Sequence, residues 1–277
     1  MQVWAWKMSS LWATSRTVGR PAYDTTIESV SLPENVQRIV NSYQTGISNY
    51  LFKASCLTGL NGWQAKRTLP RQFIKFIEKA FDLYDQLVQF LLGHLHREGF
   101  STQCAPGCTH CCCHMPIGVT APELIYLYHG MHQSGHLAKF FRRCLEAEEN
   151  WREILQSHVG KQCGGAQPTF VRETVLKQYQ QLEHRCPFLQ DDLCQLYPYR
   201  PLACRMHFSL STPHWCRPSH FQNEHAVQFN LEPEEKIFAA LEHLEDRLQL
   251  HLSDIMVCGM LELIVNVLKF QKIDLVS

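Results

Sequence analysis

The sequence has no excess of charge of either sign: 26 Lys and Arg residues balance 26 Asp and Glu residues over 277 positions. Such a balance leaves no electrostatic footprint for nucleic acid or for an anionic membrane surface, so neither is expected as a partner. The basic pairs, Lys66–Arg67 and Arg142–Arg143, are short and read as solvated surface. Long apolar runs are missing too. The most apolar stretch, "IMVCGMLELIVNVL" at 255–268, contains Glu262 and Asn266 and is too short to span a bilayer, so a buried core helix is expected there. In the opening "MQVWAWKMSSLWATSR", Lys7, Ser9 and Ser10 interrupt the apolar residues, and no signal peptide is expected. The chain also lacks G-x-G-x-x-G, a Walker A loop and G-x-S-x-G, which removes the usual basis for nucleotide-binding and hydrolase readings. No carboxylate pair stands out for acid–base work; Glu146, Glu148 and Glu149 read as a solvated helix face.

Sustained alternation of period two is absent, and so is any internal repeat. Helical periodicity is present instead. Phe73, Ile77, Phe81, Tyr84, Val88, Leu91 and Leu95 recur every three or four residues, which predicts a long amphipathic helix from Pro70 to a stop near Gly99. Thr120 and Glu123 form a T-x-x-E capping box with Pro122 in the first turn, so a helix through Leu124, Leu127, Tyr128 and Met131 is expected. Further helices are predicted from Leu137 to Gly160, from Phe170 to Leu182, from Ile237 to Leu248, and from about Ser253 onward. Residues 186–230, rich in Pro, Cys and His, read as loop. Residues 1–60 lack a clear period and read as an N-terminal extension of loops and short helices, partly irregular. The expectation is one mainly α domain over 1–277, an irregular helical fold with cysteine-rich metal-binding loops between helices. Within it, 101–220 forms a cysteine-cluster core and 231–277 the C-terminal helices.

What the chain does have is cysteine, 13 in all. With no leader expected, the reading is a cytoplasmic protein, where this many thiols point to metal or redox chemistry rather than to disulfides. An odd number also rules out complete pairing within the chain. The first block, "CAPGCTHCCC" at 104–113, holds Cys104, Cys108, Cys111, Cys112 and Cys113. Neighbouring cysteines bridge poorly, because a good disulfide wants Cα atoms roughly 5.5 Å apart. A metal ion asks for convergent thiolates instead. The second block, "CPFLQDDLCQLYPYRPLACR" at 186–205, holds Cys186, Cys194 and Cys204, with Cys216 following. Arg200 and Arg205 bracket Cys204 and are expected to offset thiolate charge and lower thiol pKa values. Cys56, Cys144 and Cys258 read as core residues and Cys163 as a loop thiol. His110, His114, His207 and His214 adjoin the cysteines and read as surface groups or as supports behind the ligands. His94 and His96 lie near a helix C-terminus, where the helix dipole suits partial positive charge.

"CAPGCTHCC" with "VTAPE" behind it, followed by "CPFL…C…YPYRPLACR", resembles the YkgJ-type cysteine-cluster family, a zinc- or iron-chelating domain type with a CxxCxxCC signature. The resemblance covers about 104–216. Two departures stand out: three residues rather than two separate Cys104 from Cys108, and Cys113 extends the CC pair to a triplet. The resemblance implies metal ligands at Cys104, Cys108, Cys111, Cys112, Cys186, Cys194 and Cys204, with Cys216 as the eighth. The metal partner is zinc, held tetrahedrally by four thiolates, or an iron–sulfur cluster, which also takes four cysteines. Two functions follow: a metal-binding module serving as scaffold, metallochaperone or sensor, or an iron–sulfur-dependent redox or protein-modifying enzyme. Some relatives of this domain type are fused to protein-modifying functions. No cofactor-binding segment outside the cysteine region supports the enzyme reading, which therefore ranks second.

Overall fold

The structure, a computed structural model, describes residues 32–159 and 168–276. The fold is mainly α. Helices α1 (Glu34–Ser55), α2 (Trp63–Lys66) and α3 (Arg71–Arg97) lead to the first cysteine block, and α4 (Ala121–Gln133), α5 (Leu137–Val159) and α6 (Pro168–Gln181) separate it from the second. Helices α7 (Glu235–Leu248) and α8 (Met256–Glu262) follow, and a π-helical turn at Leu263–Val267 continues α8. The apolar run at 255–268 is accordingly a buried helical element, with Met256, Val257, Met260, Leu263 and Ile264 in the core. No helix among the described residues is long and apolar enough to cross a membrane.

The capping box is present as the sequence predicts: the Glu123 carboxylate accepts the Thr120 N–H at 2.8 Å and the Thr120 hydroxyl at 2.7 Å. The α4 helix is buried nearly all round, from Ala121 to Tyr128 and again at Gly130 and Met131. A helix without a polar face belongs in the centre of a fold, and α4 indeed packs on α3, α5, α7 and α8. Around it, α1 lies on α3 and α7, while α5 lies on α6 and α8. Among the described residues, nearly all the buried apolar side chains form one continuous cluster from Val36 to Ile273.

Residues 34–55 depart from the expectation of loops and short helices. Helix α1 runs for 22 residues, with Val36, Val40, Ile47, Leu51 and Ala54 buried. Two features hid it. Buried Gln44 breaks the apolar stripe, and Gly46, which reads as a turn former, sits mid-helix where a Cβ would come within 3.0 Å of Leu83 Cδ1. The glycine lets α1 approach α3. The remainder of the predicted irregular extension, 1–31, lies outside the described residues, as does Cys163.

The 186–230 region is less bare than a loop. Strands β1 (Thr68–Pro70) and β6 (Asp274–Val276) pair in parallel elsewhere, but β2 (Leu189–Gln190) with β3 (Leu193–Cys194), and β4 (His207–Ser209) with β5 (Gln228–Asn230), form antiparallel ladders within it. Two or three residues are too short to show alternation. The β2–β3 turn is Asp191–Asp192, both at positive φ (50° and 59°), the backbone of a tight two-residue hairpin loop in which Asp is tolerated.

Gly130 fixes how this region meets the core. A Cβ there would lie 2.4 Å from the Tyr199 ring, so the 3₁₀ turn Tyr197–Tyr199 presses directly on α4. Gly130→Ala gains helix propensity of about 1 kcal/mol but overpacks a rigid ring, at a cost of roughly 1–3 kcal/mol. A melting temperature lowered by a few degrees is expected in thermal denaturation; a raised one would show that Tyr199 yields freely.

Candidate metal centre

The first block is shaped by local turns. The Cys108 N–H donates to Ala105 O at 3.0 Å around Gly107, whose φ of +86° a side-chain-bearing residue rarely adopts. A 3₁₀ turn, His110–Cys113, then carries the triplet. The second block brings Cys194 on β3, Cys204 at the end of the 3₁₀ turn Leu202–Cys204, and Cys216 at the end of another, Pro213–Cys216.

The two blocks meet. The Cys186 N–H donates to Cys112 O at 2.9 Å, and the Gln103 N–H donates to Ser209 O at 3.1 Å. Glu123, buried at the start of α4, also accepts the Leu202 N–H at 2.8 Å, tying the helix that follows one block to the turn that holds the other. Tyr126 and His129 of α4 pack their rings against Tyr199.

All the described cysteines are free thiols. Burial pushes Cys104 up to about 11 and Cys204 up to about 12, although both remain solvent-accessible. Cys108, Cys194 and Cys216 are raised, and Cys186 well raised, each first by burial. Cys111 is raised well above the usual range, first because it donates its S–H to the Cys112 sulfur and then by burial. The expectation that Arg200 and Arg205 would lower the neighbouring thiols is corrected here. Both arginines do act downward on Cys194 and Cys204, but desolvation outweighs them.

Part of the reason lies in α3. Asp85 pairs with Arg205 and, at 3.4 Å, with Arg200, which absorbs much of their positive charge. Arg205 is otherwise spent on structure. Its Nε donates to Arg200 O at 2.8 Å, its Nη2 to Pro198 O at 2.6 Å, and the guanidinium lies 4.9 Å over the Phe81 ring. Arg200 stacks 3.6 Å over Tyr197.

Several backbone N–H groups favour thiolate. Those of His110, Phe188 and Leu196 are hydrogen-bonded to Cys108, Cys186 and Cys194, in each case the cysteine two positions earlier. Donors aimed at sulfur stabilise its anionic, metal-binding form. Ser209 serves two cysteines, its backbone bonding Cys104 and its side chain Cys216. Gln228 bonds Cys216 as well and, through Oε1, meets His207 Nε2 at 3.2 Å. His207 Nδ1 lies 2.8 Å from Asn230 Oδ1. His114 and His207 stand 6.0 Å apart, and burial followed by His207 pulls His114 down to about 3. His207 and His110 are also lowered, first by burial, which favours the neutral imidazole at these two positions. His94, expected to favour charge at its helix end, is buried.

The remaining cysteines sort differently. Cys113 faces Glu183, Arg185 and Arg217, with its S–H directed at Thr109 O at 3.9 Å. Cys144 is buried in the core as expected, and Cys258 is half-buried against it. Cys56 is exposed at the end of α1, a correction to its reading as core: the chain turns there and the side chain falls on the solvent side. An open cleft of about 340 Å³, lined by Arg143, Asn150, Tyr179, His184 and Cys186 among others, gives solvent a route to the second block.

Sequence reasoning missed Asp85, Ser209 and Gln228. None carries a local signal, because each acts on a segment distant in the chain. Asp191–Asp192, flanked by Leu189 and Leu193, was a legible hairpin cue.

No known protein family, curated protein or solved structure matches the chain. Among the described residues, no three His, Cys, Asp or Glu side chains already converge as a metal-holding group. The thiols are close enough to feel one another's charge, but they are not gathered on one point. In donor chemistry they fit a thiophilic metal: soft sulfur ligands, N–H groups aimed at them and neutral imidazoles behind.

Proposed function

We propose that this chain is a metal-binding protein in which zinc or an iron–sulfur cluster is held by thiolates from 104–112 and 186–216. The observation that carries the reading is the meeting of two cysteine blocks from distant parts of the chain, with backbone N–H groups bonded to Cys108, Cys186 and Cys194. The likeness of both blocks to the YkgJ-type signature supports it. Binding draws the free thiols inward and releases their protons to solvent, so metal binding is coupled to ordering of the loops. When bound, the metal supplies a crosslink between the two loops, and an iron–sulfur cluster would add one-electron chemistry that zinc lacks. The chain's own part is to present sulfur, screen its charge and keep the site anchored on α4. We assign it to the cytoplasm, where these thiols stay reduced.

The test is metal content of chain purified anaerobically, by elemental analysis and optical spectrum. Zinc or iron should copurify in stoichiometric amount, with a brown, broad visible absorption only if iron–sulfur is present. At free metal one hundredfold above its dissociation constant, stability should rise by about 2.7 kcal/mol, or roughly 5–10 °C in melting temperature. Chelation should reverse the shift and open 104–112 and 186–216 to protease before α3 and α7. A folded chain with no bound metal and no thermal response to zinc or to iron–sulfur reconstitution would overturn the reading.

A further inference from the structure

The open cleft beside the second block is walled by polar groups that the fold leaves unspent. Arg143, Glu146 and Asn150 stand at i, i+3 and i+7 of α5 and so share one face. Ala147 lies among them at 5% exposure, and its small side chain leaves the cleft its volume of about 340 Å³. Ligand pockets run from roughly 300 to 1,000 Å³, so this is a small one. Its other walls are Tyr179 of α6, with the His184 ring 5.2 Å away, and the β2–β3 hairpin with Asp191. Arg143 braces that hairpin, donating from Nη1 to Leu189 O at 2.6 Å and to Pro187 O at 3.4 Å. Both acceptors are neutral. Among the described residues its guanidinium has no carboxylate partner, and Nε and Nη2 make no hydrogen bond. Among the same residues, the Glu146 and Asp191 carboxylates have no cation or donor, and the Asn150 amide has no partner. Tyr179 is only 2% exposed, yet its hydroxyl makes no hydrogen bond among them either.

Arg143 and Glu146 are three residues apart on one helix, within pairing range, and still do not pair. Charges of both signs held apart in one cleft suit a ligand that carries both. We propose that the cleft binds a zwitterionic amino acid or dipeptide, with its carboxylate on Arg143 and its ammonium on Glu146 and Asp191. A guanidinium presents parallel N–H groups to the two oxygens of a carboxylate, which makes Arg143 the natural anchor for that end. Asn150 and Tyr179 supply donors and an acceptor for the amide of a dipeptide. A purely anionic ligand would meet two carboxylates here, and a purely cationic one would meet Arg143. Arg185 does not tip this balance, because Asp192 pairs with it. Glu146 is exposed at the rim, so water screens its charge and the affinity is modest. Cys186 lines the same cleft, so a bound ligand covers the solvent path to the second block. The site does not depend on whether the thiols hold a metal.

Calorimetric titration of the folded full chain with L-alanyl-L-alanine tests this, because its methyl side chains add little beyond the terminal charges. The expected result is one dipeptide per chain. Acetylating its amine or amidating its carboxylate should each weaken binding about tenfold or more, since each removes a charge-assisted contact. Glu146→Gln should weaken the dipeptide severalfold and leave the N-acetylated form unchanged. Asn150→Trp, which fills the cleft, should abolish binding. Neither residue has a partner to lose, so both variants should keep the wild-type circular dichroism and melting temperature. Glu149→Gln, on α5 but outside the cleft, should bind as wild type does. No binding up to about 10 mM dipeptide would overturn the proposal. Capped peptides that bind as tightly as the zwitterion would overturn it too, as would binding that survives Asn150→Trp unchanged. Metal content of the same preparation is read separately, so failure here leaves the metal-binding reading standing.

Discussion

Glu123→Ala is expected to lower stability by about 4 kcal/mol, because a single buried carboxylate satisfies three donors from two parts of the chain. It accepts the Thr120 N–H, the Thr120 hydroxyl and the Leu202 N–H, each within 2.8 Å. Hydrogen bonds to a charged acceptor are worth roughly 1.5–3 kcal/mol each, and a buried donor left without a partner costs about 1–3 kcal/mol. Burial raises the Glu123 pKa, and its three donors act against that rise. Desolvation therefore takes back part of the gain, which keeps the total near the lower sum. Glu123→Gln should fall between wild type and alanine, since its amide oxygen can serve one donor while its NH₂ faces the others. Urea denaturation measures the difference. The variant should also loosen 202–204 selectively, so protease should cut there first. A loss below about 1 kcal/mol would mean that water replaces the carboxylate.

Asp85→Ala is expected to cost about 3 kcal/mol through a different mechanism. Arg205 is almost wholly enclosed, with its side chain 1% exposed, while Asp85 is 31% exposed. Removing Asp85 leaves the guanidinium without its paired carboxylate, held by the Pro198 and Arg200 carbonyls and the Phe81 ring, with Glu123 as a further negative charge nearby. Breaking a buried pair costs roughly 3–5 kcal/mol, and the partial exposure of Asp85 places this one at the low end. Replacing both members, as Asp85→Leu with Arg205→Met, should recover most of the loss, because the stranded charge is then gone. The double-mutant cycle by chemical denaturation distinguishes the cases. If the double variant is as unstable as the single one, Arg205 acts through its carbonyl bonds and not through its charge.

These two residues show what was legible and what was not. The helices α3 to α8 were readable because an apolar stripe with a period near 3.6 must face a core, whatever that core is, and Thr120 and Glu123 announce a helix start by chemistry confined to four residues. Glu123 was therefore recognised as a cap. Its second duty to Leu202 was invisible, because nothing in a local pattern says which distant N–H will arrive at the free oxygen. Asp85 carried no local signal at all, because its arginine partners lie more than a hundred residues away. Helix α1 was hidden because burial of Gln44 and the close approach at Gly46 are properties of its neighbours α3 and α7, not of its own sequence.

The sequence by itself determined the residue chemistry of this protein: a mainly α chain, two cysteine blocks placed between helices, and no charge pattern for nucleic acid. Those follow from local periodicity, spacing and composition, which every residue carries wherever it folds. Only the tertiary structure decided that the blocks meet, that Asp85 takes up the arginine charge, and that burial rather than arginine sets the state of the thiols. It also decided which sulfurs are neighbours. Electrostatic and desolvation energies depend on distance and on surrounding atoms, and these come into being only when segments far apart in the chain are packed together.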